Sequence, residues 1–233
     1  MSQPFHTATR KAWSRAALAL VSAAALVGLL RLQAGQDDKA RFAERDAWQR
    51  PEEVMDKLGL KAGSVVADVG CGSGYFTFHF AARVGAQGRV YAEDIQPSVL
   101  EKIQARANQD HLRQIQPIQG TEDDPFLPAG QLDAILVMNA YHEMKHYDAM
   151  LRGMYKALKP DGLLAIIDHR AEPGQPRSEY QEGHRIPEPL VREDLARNGF
   201  LFLRREPGFL SADTHKHFFF LIFQKPKSEA APH

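Results

Sequence analysis

The sequence predicts an α/β fold with one doubly wound, seven-stranded, mostly parallel sheet that ends in an antiparallel strand, within a single domain. From residue 64 to residue 170, short β-branched apolar segments alternate with segments of helical period. Within residues 201–225, two further apolar segments follow each other without a helix, so they are expected to pair antiparallel. Hydrophobic residues make up 44% of the 233 residues and charged residues 25%, which is typical of globular proteins.

Turn residues divide the chain into the expected elements. A first helix begins at Pro51, and Gly59 ends it. The first five strands are expected over residues 64–69, 88–95, 115–120, 131–139 and 163–170. Helices are expected over residues 75–85, 97–109, 147–162 and 189–200. Because residues 171–188 are rich in proline and glycine, they are expected to form a loop over the ligand-binding end of the sheet.

The N-terminal segment has the composition of a targeting sequence. Basic residues at positions 10, 11 and 15 precede an uncharged apolar run from Ala16 to Leu30. As a helix, this run would span about 22 Å, less than the ~30 Å hydrocarbon core of a bilayer. We therefore expect a signal peptide or N-terminal membrane anchor over residues 1–35, a folded domain over residues 36–225 and a disordered tail over residues 226–233. The protein would then be exported or membrane-anchored, with contact through residues 16–30; a cytoplasmic protein is the alternative.

Charge and cysteine content exclude several classes of function. The formal net charge is zero, so a nucleic-acid partner is not expected. Cys71 is the sole cysteine, which excludes an intramolecular disulfide and a zinc site built on several thiolates.

A glycine-rich turn follows the first strand and opens a helix. Its spacing is G-x-G-x-G from Gly70 through Gly72 to Gly74, whereas a dinucleotide fingerprint requires a glycine where Tyr75 stands. Asp68 lies two positions before the first glycine. This arrangement suits a ligand with an ammonium and a carboxylate on a short chain, the ammonium facing Asp68 and the carboxylate facing loop amides.

Four segments together resemble the class I S-adenosylmethionine-dependent methyltransferases over residues 40–225. They read VADVGCGSG, VYAEDIQP, GTEDDPFLPAGQLDAILVMNAYHE and ALKPDGLLAIID. The resemblance implies S-adenosyl-L-methionine as cofactor, with Asp94 on the ribose hydroxyls and Glu93 as a second candidate. It also implies an adenine site in the acidic loop after the third strand. The cofactor-binding residues expected are Asp68, Gly70, Cys71, Gly72, Gly74, Asp94, Ile95, Thr121, Glu122, Asp123 and Asn139. A group of uncharacterised bacterial methyltransferases is most similar, and it implies no substrate.

Candidate catalytic residues lie after the fourth strand, where a small or medium-sized methyl acceptor would bind. They are Tyr141, His142 and Glu143, with His142 favoured as a base because its pKa is near neutral pH. His169, His184 and Arg185 are expected on the substrate side, beneath or within the loop. The motif HEMKH, residues 142–146, matches the zinc-hydrolase pattern, but it follows a strand directly and no metal is expected. A nicotinamide oxidoreductase and a non-catalytic binding protein remain as alternatives.

A reporter fused after residue 40 tests the targeting prediction. The basic residues ahead of the apolar run favour a cytoplasmic N-terminus. We therefore expect the reporter outside the inner membrane, or membrane-bound on its outer side, in a bacterial host. Reporter activity confined to the soluble cytoplasm would contradict the prediction.

Overall fold

A computed structural model describes residues 42–209 and 217–227. The chain divides into two compact units, residues 1–47 and 48–233. The predicted targeting segment, residues 1–35, and residues 228–233 of the predicted tail lie outside the described residues. Within the described part, no helix is long and apolar enough to cross a membrane.

The described part of the chain alternates strands and helices as the sequence predicts. A helix over residues 42–49 (α1) comes first in the described chain. The later elements are α2 (Pro51–Lys57), β1 (Val65–Val69), α3 (Tyr75–Val84), β2 (Arg89–Asp94), α4 (Pro97–Gln109), β3 (Ile115–Gln119), β4 (Leu132–Met138), a 3-10 helix (Tyr141–Glu143), α5 (Tyr147–Ala157), β5 (Leu158–His169), α6 (Arg177–Glu182), α7 (Glu188–Arg197), β6 (Leu201–Arg205) and β7 (Phe218–Gln224).

The seven strands form one sheet in the order β3-β2-β1-β4-β5-β7-β6. Strands β1 to β5 pair in parallel, and β7 lies antiparallel between β5 and β6. The predicted mostly parallel sheet with a final antiparallel strand is confirmed. Strand order reverses between β1 and β4, and in open α/β sheets ligands bind at such a point, outside the carboxyl ends of the strands.

Helices cover the sheet, which explains the unbroken apolar sequences of its central strands. In β4, Ala134, Ile135, Leu136 and Val137 are all fully buried. The first six residues of β7 are buried as well. On α5, buried residues recur at Met150, Leu151, Met154 and Ala157, one stripe of a helix facing the sheet.

Two segments differ from the sequence prediction. Helix α5 ends at Ala157 rather than residue 162, because Leu158 already pairs with Leu132 at the start of a longer β5. The predicted loop over residues 171–188 contains α6. Tyr180 holds this short helix in place, since its buried hydroxyl donates to the Glu172 carbonyl at 3.0 Å and accepts from the Gln175 amide at 2.8 Å.

Phe220→Ala tests the position of β7 inside the sheet. Phe220 is fully buried and packs against Phe209, with ring centroids 4.8 Å apart. We expect its truncation to lower the free energy of unfolding by about 3–5 kcal/mol. Leu201→Ala on the edge strand is the control, because Leu201 is 52% exposed; it should change stability by at most about 0.5 kcal/mol. Equal losses of unfolding free energy for Phe220→Ala and Leu201→Ala, measured by urea unfolding, would contradict the position of β7 inside the sheet.

Candidate functional site

A cavity of about 380 Å³ opens at the carboxyl ends of β1, β2 and β4, where the strand order reverses. It is lined by the predicted residues Gly70, Gly72, Asp94, Ile95, Thr121, Glu122, Asn139 and Glu143. Glu93, the second candidate for the ribose, also lines it. The lining is completed by five residues outside the predicted set, namely Gln96, Ala140, Met144, Lys145 and Met150. Met144 and Met150 form an apolar part of the cavity wall, and no local sequence motif indicates this role.

The glycine turn brings backbone close to the end of β4. Gly70 and Gly72 have φ values of 68° and 50°, in the left-handed region that favours glycine. A Cβ on Gly70 would lie 2.6 Å from the Cβ of Ala140, so a side chain there would push the two loops apart. At Gly72 nothing lies within 4 Å of the corresponding position. That side of the turn is therefore open to a ligand.

Three of the predicted cofactor residues support the turn and do not line the cavity. Asp68 is buried, and its Oδ2 accepts a hydrogen bond from the Thr77 hydroxyl at 2.7 Å, which joins β1 to α3. Gly74 is the residue before α3. Cys71 donates its backbone N–H to the Glu93 carbonyl at 2.9 Å, and burial, reinforced by the nearby carboxylates, raises the pKa of its thiol. The thiol of Cys71 is thus neutral at physiological pH.

Asp94 presents a carboxylate to the cavity. Its Oδ2 accepts the Gly72 N–H at 3.1 Å, and its Oδ1 accepts the Gln96 N–H at 2.9 Å. Each carboxylate oxygen has two acceptor sites, so one on each oxygen remains for a ligand. These two free acceptor sites can accept hydrogen bonds from two adjacent hydroxyls of a ligand.

Glu93 is the more deeply buried of the two acidic residues. Its Oε2 accepts the Gly70 N–H at 3.3 Å, while its Oε1 has no hydrogen-bond partner among the described residues. Burial raises the pKa of Glu93 to about 8, with Asp94 and Asp68 adding to the effect. At neutral pH the carboxyl is therefore mostly protonated.

The acidic loop after β3 forms another wall of the cavity. Thr121 and Glu122 line it, whereas the Asp123 carboxylate accepts the Thr121 hydroxyl at 2.7 Å and lies outside the lining. Glu122 accepts a hydrogen bond from Lys145 Nζ at 3.0 Å. This ion pair joins the loop to the segment after β4.

His142 lies next to the cavity and is oriented by Asp168. Its Nδ1 is 2.7 Å from Asp168 Oδ1, and its backbone N–H donates to Asp168 Oδ2 at 3.0 Å. Its Nε2 lies 3.7 Å from Glu143 Oε1 and 3.3 Å from His184 Nδ1. Burial alone would lower the pKa of His142, but the Asp168 and Glu143 carboxylates outweigh it and raise the pKa.

Tyr141, which precedes the HEMKH motif, and His146, the second histidine of the motif, do not line the cavity. Tyr141 is buried, and its hydroxyl donates to Asp194 Oδ2 at 2.9 Å, which ties the 3-10 helix to α7. Tyr141 is therefore a packing residue that does not line the cavity, in contrast to the predicted catalytic role. His146 is 61% exposed and lies just before α5, separated from His142 by the end of the 3-10 helix. The HEMKH segment thus does not form the continuous helix that a zinc hydrolase requires.

The predicted substrate-side residues come together at a second cavity of about 390 Å³. Its lining includes His169, His184 and Arg185. His169 packs against Phe218, with ring centroids 3.8 Å apart, at the start of β7. Since Glu143 lines the first cavity and contacts His184 in the lining of the second, the two cavities meet at this pair.

Glu93→Gln tests the protonation state of the buried carboxyl. Because the pKa of Glu93 in the folded chain is about 8 and the usual value is 4.5, Glu93 stabilises the fold fully below pH 4.5, and this contribution is lost as pH rises through 8. The wild type should therefore lose stability relative to Glu93→Gln as pH rises from 4.5 to about 8, which is the span of the shift. Parallel stability curves for the two proteins, from urea unfolding at several pH values, would contradict a buried neutral carboxyl.

Comparisons with known proteins agree with this geometry. Residues 66–162 match the family model described as a methyltransferase domain. A demethylmenaquinone methyltransferase from Lactococcus lactis is 25% identical over 127 residues, which are 54% of this chain and 50% of the relative. The chain thus spans about half the length of the curated relatives that it matches.

Solved structures share nearly the whole fold. A crystal structure of a SAM-dependent methyltransferase from Aquifex aeolicus has a TM-score of 0.65 at 25% identity, and the match covers 80% of this chain and 97% of that one. The [4+2]-cyclase SpnF has a TM-score of 0.65 at 21% identity over 76% of this chain and 81% of its own, which shows the fold alone. The methyltransferase-domain model thus matches β1 to the beginning of β5, and the chain has the class I, Rossmann-like fold of S-adenosylmethionine-dependent methyltransferases, whose cofactor is S-adenosyl-L-methionine.

Proposed function

We propose that the chain transfers a methyl group from S-adenosyl-L-methionine to a small or medium-sized acceptor. The observation that carries the proposal is Asp94, whose carboxylate is held at the cavity by the Gly72 and Gln96 amides with acceptor sites left for two hydroxyls. The ribose of the cofactor offers such a pair. Open space beside Gly72 leaves room for the ligand to lie against the turn.

The site residues divide into a donor side and an acceptor side. When bound, S-adenosyl-L-methionine supplies an electrophilic methyl group on a sulfonium. Asp94 and the glycine turn bind and orient the cofactor, while Thr121 and Glu122 are placed to flank its base. Met144 and Met150 contribute apolar surface to the wall of the cavity. Positioning alone can supply much of the acceleration of such a displacement, since orientation can contribute about 7–11 kcal/mol of the barrier.

On the acceptor side, His142 Nε2 is the candidate proton acceptor. Asp168 binds the opposite ring nitrogen and favours the tautomer that leaves a lone pair on Nε2. Glu143, which lines the donor cavity, lies 3.7 Å from that nitrogen. A hydroxyl bound between the two cavities would thus lie near both groups, which supports the predicted role of His142 and Glu143.

The acceptor class draws support from the curated relatives. The Lactococcus lactis relative is named as a demethylmenaquinone methyltransferase. A quinone of small or medium size, or the hydroxylated aromatic that its reduction gives, is accordingly our first choice. Oxygen, nitrogen and carbon acceptors are all tested in a panel of small molecules, with appearance of S-adenosylhomocysteine as the readout.

Asp94→Asn tests the donor site by calorimetry with S-adenosylhomocysteine. The amide keeps the shape of the side chain but loses the charge and one acceptor group, and hydrogen bonds to charged groups contribute about 1.5–3 kcal/mol each. We expect wild type to bind 1:1 and Asp94→Asn to bind at least about tenfold more weakly.

Asp110→Asn is the matched control, because it makes the same change at an exposed position after α4. It should bind like the wild type. Absence of binding by wild type, or equal binding by Asp94→Asn, would contradict the proposed donor site. Tight binding without turnover of any acceptor in the panel would favour a non-catalytic binding protein, and quenching of nicotinamide fluorescence would favour an oxidoreductase.

A further inference from the structure

Three potential metal ligands converge at the point where the two cavities meet. They are His142 Nε2, His184 Nδ1 and Glu143 Oε1. The nitrogens are 3.3 Å apart, and the carboxylate oxygen lies 3.7 Å from His142 Nε2 and 3.5 Å from His184 Nδ1. Two ligand atoms that each lie about 2.1 Å from one ion at a tetrahedral angle are about 3.4 Å apart. The triangle therefore has the dimensions of three ligands on a single ion.

We propose that His142, Glu143 and His184 bind one divalent transition-metal ion of the zinc type. Two imidazoles and one carboxylate form a ligand set that favours Zn²⁺ and its neighbours over Mg²⁺ or Ca²⁺, which prefer oxygen ligands. This site differs from the HEMKH pattern, because His184 takes the place that the pattern gives to His146. His146 is 61% exposed and is not a member of the cluster.

Asp168 is the positioning residue of this site. It is fully buried, and its Oδ1 accepts from His142 Nδ1 at 2.7 Å and from the His169 amide at 2.7 Å, while its Oδ2 accepts from the His142 amide at 3.0 Å. These donors hold the carboxylate in one orientation. A carboxylate on the far nitrogen of a metal-binding histidine fixes the ring and increases its basicity. The lone pair of His142 Nε2 is thereby directed at the other two ligands.

The ligands are supplied by segments that the fold holds together. Gln181 on α6 donates to the Met144 carbonyl at 3.1 Å, next to the 3-10 helix that carries His142 and Glu143. The Ile186 amide donates to the His169 carbonyl at 2.8 Å, next to Asp168. His184 lies between these two contacts in sequence, so its segment is held on one side by the Gln181 side chain and on the other by the Ile186 amide.

The site is open on the side of the cavities. Glu143 and His184 are 62% and 71% exposed, whereas His142 is buried. Three protein ligands with an accessible remaining position are typical of catalytic rather than structural zinc sites. With the ion bound, the Nε2 lone pair of His142 serves as a ligand, and His142 is no longer the proton acceptor. The ion instead coordinates an acceptor hydroxyl, which loses its proton to water, and the hydroxyl oxygen forms the new O–C bond as the S–C bond breaks. This last step rests on the proposed methyl transfer, whereas ion binding does not.

Calorimetric titration of the full-length, tag-free protein with Zn²⁺ tests the proposal, and Co²⁺ provides a second probe through its visible absorption. We expect one ion per chain. His184→Ala changes an exposed side chain, so the protein should fold while its Zn²⁺ affinity falls at least about tenfold. Glu143→Gln should weaken binding as well, and Asp168→Asn should lower affinity about 10- to 100-fold through the orientation of His142.

His146→Ala is the matched control, since it removes the second histidine of the HEMKH pattern and should leave Zn²⁺ affinity unchanged. S-adenosylhomocysteine binding by His184→Ala is measured in parallel and should match the wild type, which separates failure of the metal site from failure of the donor site. The proposal is wrong if wild type binds no Zn²⁺, if His184→Ala binds as tightly as wild type, or if His146→Ala alone abolishes binding.

Discussion

The candidate site depends on hydrogen bonds between the turn after β1 and the acidic end of β2. The Gly70 and Gly72 amides donate to the Glu93 and Asp94 carboxylates, and the Cys71 amide donates to the Glu93 carbonyl. These bonds satisfy amides that the turn exposes as the chain leaves the strand. They also bring two acidic side chains to the edge of the cavity. One set of contacts thus closes the turn and places the carboxylate that we propose to bind the ligand.

This arrangement concentrates acidic groups in a small buried region. Asp68, Glu93 and Asp94 are all nearly inaccessible to solvent, and burial of several like charges is costly. The fold offsets the cost in different ways, because Asp68 accepts the Thr77 hydroxyl while Glu93 takes up a proton through its raised pKa. A cationic sulfonium interacts favourably with such an acidic region. The electrostatics of the donor cavity therefore agree with the cofactor that the fold and the family model indicate.

The donor side could be predicted from the sequence because backbone geometry creates it. Glycines after a strand and an acidic residue at the end of the next strand are local features, and topology brings them to one edge of the sheet. The acceptor side could be predicted only in part. Tyr141 stands in the correct segment, but its contact with Asp194 crosses 53 positions in sequence and has no local signature. Helix α6 escapes prediction for another reason, because its six residues are too few to show a helical period and contacts of Tyr180 with the preceding loop hold it in place.

The range matched by the family model covers only part of the candidate site. The family model matches residues 66–162, which include β1, β2 and the loop after β3, and it ends before Asp168 and His184. That range holds every residue that lines the first cavity, and it also holds His142. Two groups that contact His142 lie outside it, namely Asp168 at the carboxyl end of β5 and His184 after α6. The chain shares its fold with a methyltransferase and with a [4+2]-cyclase, in agreement with the general rule that one fold can carry different activities in the residues of its sites.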